Sequence, residues 1–278
     1  MYYNDNLFFA ENELMKLGIF HTEIETNERR DSLGNVVLGY DSTVPVTMDE
    51  MLHHIKAVVR GTRKAHIVAD MPFMSYTSPE QALENAVRLM QEGGAMMVKL
   101  EGGWAVETVR FLAARGIPLC AHLGLTPQSA NALGGYRVQG RDEAAAQLLE
   151  LRAREFAEAG AAMLVLELVP AALAQRVQAQ NPELVVIGIG AGADVAGQVL
   201  VLHDMLGVTQ GKMPRFVRNF MAEGGGIGDG LRRYVQAVKQ GAEMVRQGYQ
   251  EQPHPATLAA QQPATPGEQH EWLEGYEQ

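Results

Sequence analysis

Charged and polar side chains follow four apolar segments of the sequence, each at the point where the segment ends. Asp70 ends the first segment, and Lys99 and Glu101 end the second, two positions apart, so both would lie on one side of a β-strand. His122 follows the third segment, and Glu167 ends the fourth. In α/β barrels the functional groups come from the carboxyl ends of the strands. The sequence therefore predicts a functional site at this end of a parallel sheet.

Two of these side chains, Asp70 and Glu101, are carboxylates on neighbouring predicted strands, with no cysteine or histidine pair nearby. Hard oxygen ligands of this kind suit Mg²⁺, which keeps several waters and needs only a few carboxylates besides its substrate. The alternative is a structural salt bridge from Glu101 to Lys99 or to an arginine. The residues alone leave both interpretations open.

Glu167 has apolar neighbours on both sides along the chain, including Leu166 and Leu168. A carboxyl group in such surroundings suits a general base or general acid near neutral pH. The alternative for Glu167 is a structural pair with a basic residue across the barrel. For His122, the alternative to a functional role is a histidine that is merely hydrogen-bonded at the end of its strand.

Two further features have a structural explanation as well as a functional one. The glycine-rich segment 187–192 follows a predicted strand and could hold a phosphate at a helix N-terminus, but close packing explains its glycines equally well. Cys120 lies inside a predicted strand with no activating base in sight, so we expect it to pack in the core.

Short apolar runs alternate with longer amphipathic segments from about residue 66 onward. Runs of about four to eight residues are typical of parallel strands buried on both faces, and the longer segments indicate helices. The predicted strands are 66–70, 95–100, 117–121, 161–167 and 184–190, with a weaker sixth at 199–203 that could equally be helical. The predicted helices are 79–91, 105–115, 143–159 and 171–180, followed by one or two terminal helices within 213–250. Six such units favour a closed (β/α)₈ barrel.

Composition limits the class of protein. The chain has 278 residues, which suits one barrel of about 250 residues. Its net charge of -10 argues against a nucleic-acid partner, and its single cysteine excludes an internal disulfide. No apolar run approaches the roughly 18 residues that a membrane span needs. We therefore expect a cytoplasmic protein without nucleic-acid or membrane partners, ending in a flexible tail at 251–278 that is rich in Pro, Ala, Gln and Thr.

Several long motifs, in order and in register from Asp31 to about Gly248, resemble the ketopantoate hydroxymethyltransferase family. The motifs lie at residues 31–34, 39–47, 69–73, 98–103, 122–129, 134–140, 166–170, 187–192 and 214–220. The resemblance implies a TIM barrel of the phosphoenolpyruvate/ketopantoate type. It also implies large homo-oligomers, commonly decamers.

The resemblance further implies a reaction and a set of site residues. The family transfers a one-carbon unit from 5,10-methylenetetrahydrofolate to 3-methyl-2-oxobutanoate and forms ketopantoate, in the first step of pantothenate synthesis. Carried over by motif, Asp31, Asp70 and Glu101 would hold Mg²⁺. The 2-oxo acid would contact Ser32, Lys99 and His122. It would also contact the metal ligands Asp31 and Asp70. Glu167 would be the catalytic acid or base.

Residues 1–30 depart from the family pattern. Arg30 stands where the family has glycine, and no apolar strand leads into Asp31. The predicted organisation is therefore an atypical segment at 1–30, a barrel domain at 31–250 whose N-terminal strands are missing or irregular, and the tail. An abrupt boundary of this kind also fits a shifted reading frame. Two alternatives remain: a magnesium-dependent carbon–carbon bond enzyme of the isocitrate lyase and phosphonomutase type, and an impaired homologue that acts only as an oligomer subunit.

Overall fold

A computed structural model describes residues 33–209 and 213–240, and its centre is one sheet of six parallel strands. The strands pair strictly in sequence order, β1 with β2 and so on to β6. They are β1 Val68–Asp70, β2 Met97–Glu101, β3 Leu119–Gly124, β4 Met163–Glu167, β5 Val185–Ile189 and β6 Gly197–Gln198. Parallel strands in consecutive order are the arrangement found in (β/α)₈ barrels, and six such strands lie in the described part of the chain. The predicted α/β fold is confirmed.

Helices connect the strands and cover one face of the sheet. They are α1 Met48–Gly61, α2 Pro79–Val87, α3 Val106–Ala113, α4 Glu143–Ala159, α5 Ala171–Gln180, α6 Leu202–Met205 and α7 Ile227–Lys239. The bounds of α4 and α5 are those predicted from the sequence. The weak sixth run at 199–203 forms no strand: β6 lies just before it, and its last two residues begin α6, in line with the helical alternative. None of the helices in the described part of the chain combines the length and the apolar character that a membrane span requires.

Local sequence explains where the helices begin and end. The Ser78 hydroxyl accepts a hydrogen bond from the Gln81 backbone N–H at 3.2 Å, and Pro79 occupies the first turn of α2. Helix α4 ends at Gly160, whose φ of 97° is a left-handed conformation that only glycine adopts easily. Helix α1 begins after Thr47, which forms the reciprocal hydrogen bonds of a capping box with Glu50.

The alternation of side chains along each strand separates an apolar outer layer from a mixed inner face. Val98 and Leu100 of β2 are completely buried in the main core, together with residues of the helices. Met97 packs instead with Cys120 and Val165 in a separate inner cluster. Because strand side chains alternate, the odd positions of β2 after Met97, namely Lys99 and Glu101, share this inner face. The sheet thus places its charged strand ends away from the helices.

The glycine-rich segment does not begin a helix, so the structure favours close packing over a phosphate site at a helix N-terminus. The next element after β5 is the strand β6. A Cβ atom at Gly192 would collide with Ala171, and one at Gly190 would lie 2.9 Å from Leu168 and 3.0 Å from Phe216. These glycines allow close packing. Cys120 is buried as predicted, and burial raises the pKa of its thiol to about 12.

Candidate active site

Four neighbouring strands bring five charged or titratable side chains together at their carboxyl ends. In the parallel register Asp70 pairs with Lys99, and Glu101 pairs with His122. Glu167 ends β4, the strand next to β3. The five side chains make direct contacts with one another, as the sequence predicted for the ends of adjacent parallel strands. Asp31 and Ser32, the other two predicted site residues, lie outside the described residues.

Lys99 is the centre of the cluster. Its Nζ atom lies 3.1 Å from Oδ2 of Asp70, 3.4 Å from Oε1 of Glu101 and 3.5 Å from Nδ1 of His122. Burial alone would lower the pKa of this lysine, but the carboxylates of Asp70 and Glu101 raise it well above its usual range. Lys99 is therefore a permanent cation at neutral pH, held at the site by two acids.

His122 connects the second strand of the cluster to the fourth. Its Nδ1 atom is 3.4 Å from Oε1 of Glu101, and its Nε2 atom is 3.3 Å from Oε2 of Glu167. The second contact lacks the angle of a hydrogen bond, so its contribution is mainly electrostatic. Burial and the nearby Lys99 would lower the pKa of His122, but the two glutamates raise it to about 9. The imidazole is consequently protonated at neutral pH in this arrangement.

Two loop residues that the sequence analysis did not single out hold Glu101 in place. The Gln128 backbone N–H donates to Oε2 of Glu101 at 3.1 Å. The side-chain amide of Gln128 donates to the Met71 carbonyl at 2.8 Å, and its Oε1 accepts from the Tyr76 hydroxyl at 2.7 Å. Burial would raise the pKa of Glu101, but Lys99 and His122 lower it to about 2. Gln128 belongs to the family motif at 122–129, and that motif could have indicated it as a site residue. No motif or pattern in the sequence indicated Tyr76.

Asp70 has an incompletely satisfied carboxylate. Its Oδ2 atom contacts Lys99, but Oδ1 is buried and has no hydrogen-bond partner among the described residues. Burial raises the pKa of Asp70, and the charge of Lys99 opposes that shift. A buried acceptor without a partner is costly, and a cation would satisfy it. Asp70 and Glu101 are thus oxygen donors of the type that Mg²⁺ prefers.

These two carboxylates do not form a complete metal site by themselves. Among the described residues, no three His, Cys, Asp or Glu side chains are arranged to hold a metal ion. Asp31, the third ligand implied by the family motif, lies outside those residues. The two oxygen donors therefore fit Mg²⁺ in chemistry, and substrate oxygens, waters or Asp31 would complete its coordination.

The backbone around Glu167 is shaped by two unusual residues. Leu168 has a φ of 45°, a left-handed conformation that costs a leucine on the order of 1–3 kcal/mol. Gly124, at the end of β3, has a φ of 90°, and a Cβ atom there would collide with the Glu167 carbonyl oxygen. The absent side chain lets the two strand ends approach, and the Leu125 N–H donates to that carbonyl at 2.8 Å. Strained backbone of this kind is often found at functional sites.

The sequence of this chain is similar to those of several known proteins. A family model described as ketopantoate hydroxymethyltransferase matches residues 22–242. A 3-methyl-2-oxobutanoate hydroxymethyltransferase 2 of Methylibium petroleiphilum is 61% identical over 76% of this chain and 76% of its own length. The 3-methyl-2-oxobutanoate hydroxymethyltransferase of Leptothrix cholodnii is 61% identical over 75% of each chain. A solved 2,3-dimethylmalate lyase is 14% identical, with a TM-score of 0.41 over 55% of this chain and 54% of that one.

Proposed function

This chain belongs to the ketopantoate hydroxymethyltransferase family, and we propose that it transfers a hydroxymethyl group to 3-methyl-2-oxobutanoate to form ketopantoate. The proposed donor is 5,10-methylenetetrahydrofolate. The observation that carries the proposal is the contact of Lys99 with Asp70, Glu101 and His122, with Glu167 beside the imidazole. A small anionic substrate needs a fixed cation, and removal of a proton from carbon needs a base. The cluster contains both, in Lys99 and Glu167.

The substrate would bind through its keto and carboxylate oxygens. We assign Mg²⁺ to Asp70 and Glu101, with Asp31 as the third ligand. Bound there, the ion would withdraw electrons from both substrate oxygens and make the neighbouring C–H bond acidic. Asp31 and Asp70, together with Ser32, Lys99 and His122, would contact the 2-oxo acid. Asp70 and Glu101 already fix the Lys99 ammonium, so it needs little reorganisation to stabilise negative charge on the keto oxygen.

Glu167 would move the proton. It takes the proton from C3 of the 2-oxo acid, and the resulting enolate carbon forms a bond to the methylene carbon of the donor. The methylene is bonded to two carrier nitrogens, and both carbon–nitrogen bonds break. The new carbon–carbon bond replaces one of them, and a bond to the oxygen of a water replaces the other. Glu167 returns the C3 proton to one departing nitrogen, and the water supplies the proton for the other. One water is consumed over the whole reaction, and its oxygen becomes the hydroxyl of the product. His122, 3.3 Å from the Glu167 carboxylate, fixes the base at the end of β4.

Neither alternative from the sequence is favoured by a particular observation. The named relatives at about 60% identity are hydroxymethyltransferases, which gives no support to an enzyme of the isocitrate lyase type. All five described site side chains are present and in contact, so these residues give no reason to expect an impaired homologue. By family resemblance we propose that the chain also forms a homo-oligomer.

Product analysis with a labelled donor tests the proposal. The purified chain is incubated with Mg²⁺, 3-methyl-2-oxobutanoate and a donor carrying ¹³C at its methylene carbon, and the products are followed by NMR. We expect the label to appear in the hydroxymethyl carbon of ketopantoate. Absence of labelled ketopantoate when both substrates and Mg²⁺ are in excess would contradict the proposed function.

A further inference from the structure

An exposed tryptophan lies directly beside the buried cluster. Trp104 follows Glu101 by three positions, in the short 3₁₀ turn Gly103–Ala105 after β2, and is 53% exposed. Its ring is parallel to that of Tyr76, with 5.3 Å between the ring centroids and an angle of 4° between the planes. Tyr76 itself is 2% exposed. The exposed fraction fits an indole with one face covered by Tyr76 and the other open to solvent.

The position of this ring is fixed relative to the site. The Tyr76 hydroxyl accepts from the Glu101 backbone N–H at 3.3 Å and donates to the Gln128 side chain at 2.7 Å. Gly102 has a φ of 98°, and a Cβ atom there would lie 2.6 Å from the Trp104 indole nitrogen. The absence of a side chain at Gly102 therefore permits the approach of the indole. An aromatic face that is already ordered loses little conformational entropy when a ligand stacks on it.

We propose that the open face of Trp104 binds the planar ring system of the one-carbon donor by stacking. This inference rests on the proposed function, because the carrier in that reaction is a reduced pterin, whose pyrimidine ring remains planar. The charged cluster is buried and suits the small 2-oxo acid, so the much larger carrier must lie at its rim, where Trp104 is exposed. Flat heterocycles stack favourably on indole rings, and positive charge on a carrier nitrogen favours the same face.

Tryptophan fluorescence tests the contact directly. The chain has two tryptophans, Trp104 and Trp272, so Trp272→Phe leaves Trp104 as the sole indole. We expect tetrahydrofolate to quench the emission of this variant saturably. The matched variant Trp104→Phe, which retains Trp272, should show only the unsaturable loss caused by ligand absorbance. Equal behaviour of the two variants would overturn the proposal.

Kinetics give the second test, with 3-methyl-2-oxobutanoate as the constant substrate. Trp104→Ala should raise KM for the donor about tenfold, the size expected for loss of one stacking contact. Trp104→Phe should recover most of that loss. The control Met96→Ala removes a similarly exposed apolar side chain just before β2, at the opposite end of the strand, and should match the parent. An unchanged donor KM in Trp104→Ala would overturn the proposal.

A partial reaction separates this proposal from the proposed function. Exchange of the C3 proton of 3-methyl-2-oxobutanoate in D₂O needs the charged cluster but not the donor. Trp104→Ala should keep the rate of proton exchange within about twofold of the parent. If exchange falls as much as hydroxymethyl transfer, Trp104 supports the structure of the site, and the proposal is overturned. A parent chain that neither exchanges nor transfers would contradict the proposed function, whereas the quenching experiment would still decide whether Trp104 binds the ring.

Discussion

Lys99, Glu101 and His122 are almost fully buried, with side-chain exposures of 9%, 5% and 3%. Charges at such positions lose their hydration and remain only when other groups replace it. Here Asp70 and Glu101 surround the ammonium, and Gln128 donates its backbone N–H to Glu101. Removal of one partner would leave another buried charge without compensation. Variants that preserve shape still change this balance of charges, so each of them needs a check that it is folded.

The proton-transfer role predicts the effect of Glu167→Gln. The amide keeps the size of the side chain but cannot accept a proton, so binding of the 2-oxo acid should stay within a few-fold of the parent. Proton exchange and hydroxymethyl transfer should both fall by about 10²–10⁴-fold, the usual contribution of a general acid or base. The control Glu158→Gln neutralises an exposed carboxylate on α4 and should behave as the parent. Rates within a few-fold of the parent in Glu167→Gln would make this residue structural.

The metal role predicts that Asp70→Asn and Glu101→Gln each lose at least about a hundredfold in magnesium-dependent turnover. Each change removes an anionic oxygen donor while keeping the side-chain volume, so circular dichroism should show a folded protein. Glu107→Gln, which alters a carboxylate on α3 that is 79% exposed, is the matched control. Steady-state rates over a range of Mg²⁺ concentrations provide the measurement. Full activity in either site variant would refute its assignment as a ligand.

Among the elements, the apolar pattern located β1 to β5, but each predicted strand begins one or two residues early. The early starts come from apolar residues that are buried in the main core just before a strand begins. These residues are Ile67, Ala95, Ile117, Ala161 and Leu184. An apolar run in the sequence indicates which residues are buried. The bounds of a strand depend instead on which residues form backbone hydrogen bonds with a neighbouring strand. The placement of Lys99 and Glu101 on one side of β2 followed from alternation alone. The contacts of Tyr76 and Gln128 could not be predicted, since loop conformation has no comparable period in sequence.

The capping box of α1 gives a prediction at the level of one element. The Thr47 hydroxyl accepts from the Glu50 N–H at 3.2 Å, and the Glu50 carboxylate accepts from the Thr47 N–H at 2.7 Å. Thr47→Ala should lower the free energy of unfolding by about 1 kcal/mol, because the Glu50 backbone N–H in the first turn loses its acceptor. Thr47→Ser keeps the hydroxyl and should stay close to the parent in urea unfolding. Equal loss in both variants would show that the methyl group, not the cap, stabilises α1.

For the whole molecule, the described residues contain six parallel strands, whereas the predicted barrel has eight. The atypical segment 1–30 and the predicted tail 251–278 lie outside the described residues, so their assignments stay predictions. The family model nevertheless matches from residue 22, ahead of the motif that begins at Asp31. The alignment with the family thus includes part of the segment that the motifs alone set apart.

The oligomer inferred from family resemblance is also tested on the whole molecule. Mass photometry of the purified 278-residue chain should give a species of about ten times the 30.3 kDa subunit mass if the family's common decamer forms. Dilution should leave that mass unchanged for a closed ring assembly. A stable monomer at all concentrations would contradict the expected homo-oligomer. That result would not test the proposed roles of the charged cluster.

Removal and return of magnesium test the central claim most directly. Ketopantoate formation is measured with both substrates after the chain has been stripped of metal with a chelator, and again after stepwise addition of Mg²⁺. The buried Asp70 oxygen without a partner and the neighbouring Glu101 predict an inactive stripped chain whose activity returns saturably with Mg²⁺. Undiminished ketopantoate formation in excess chelator, or none at any Mg²⁺ concentration, would contradict a magnesium-dependent hydroxymethyltransferase.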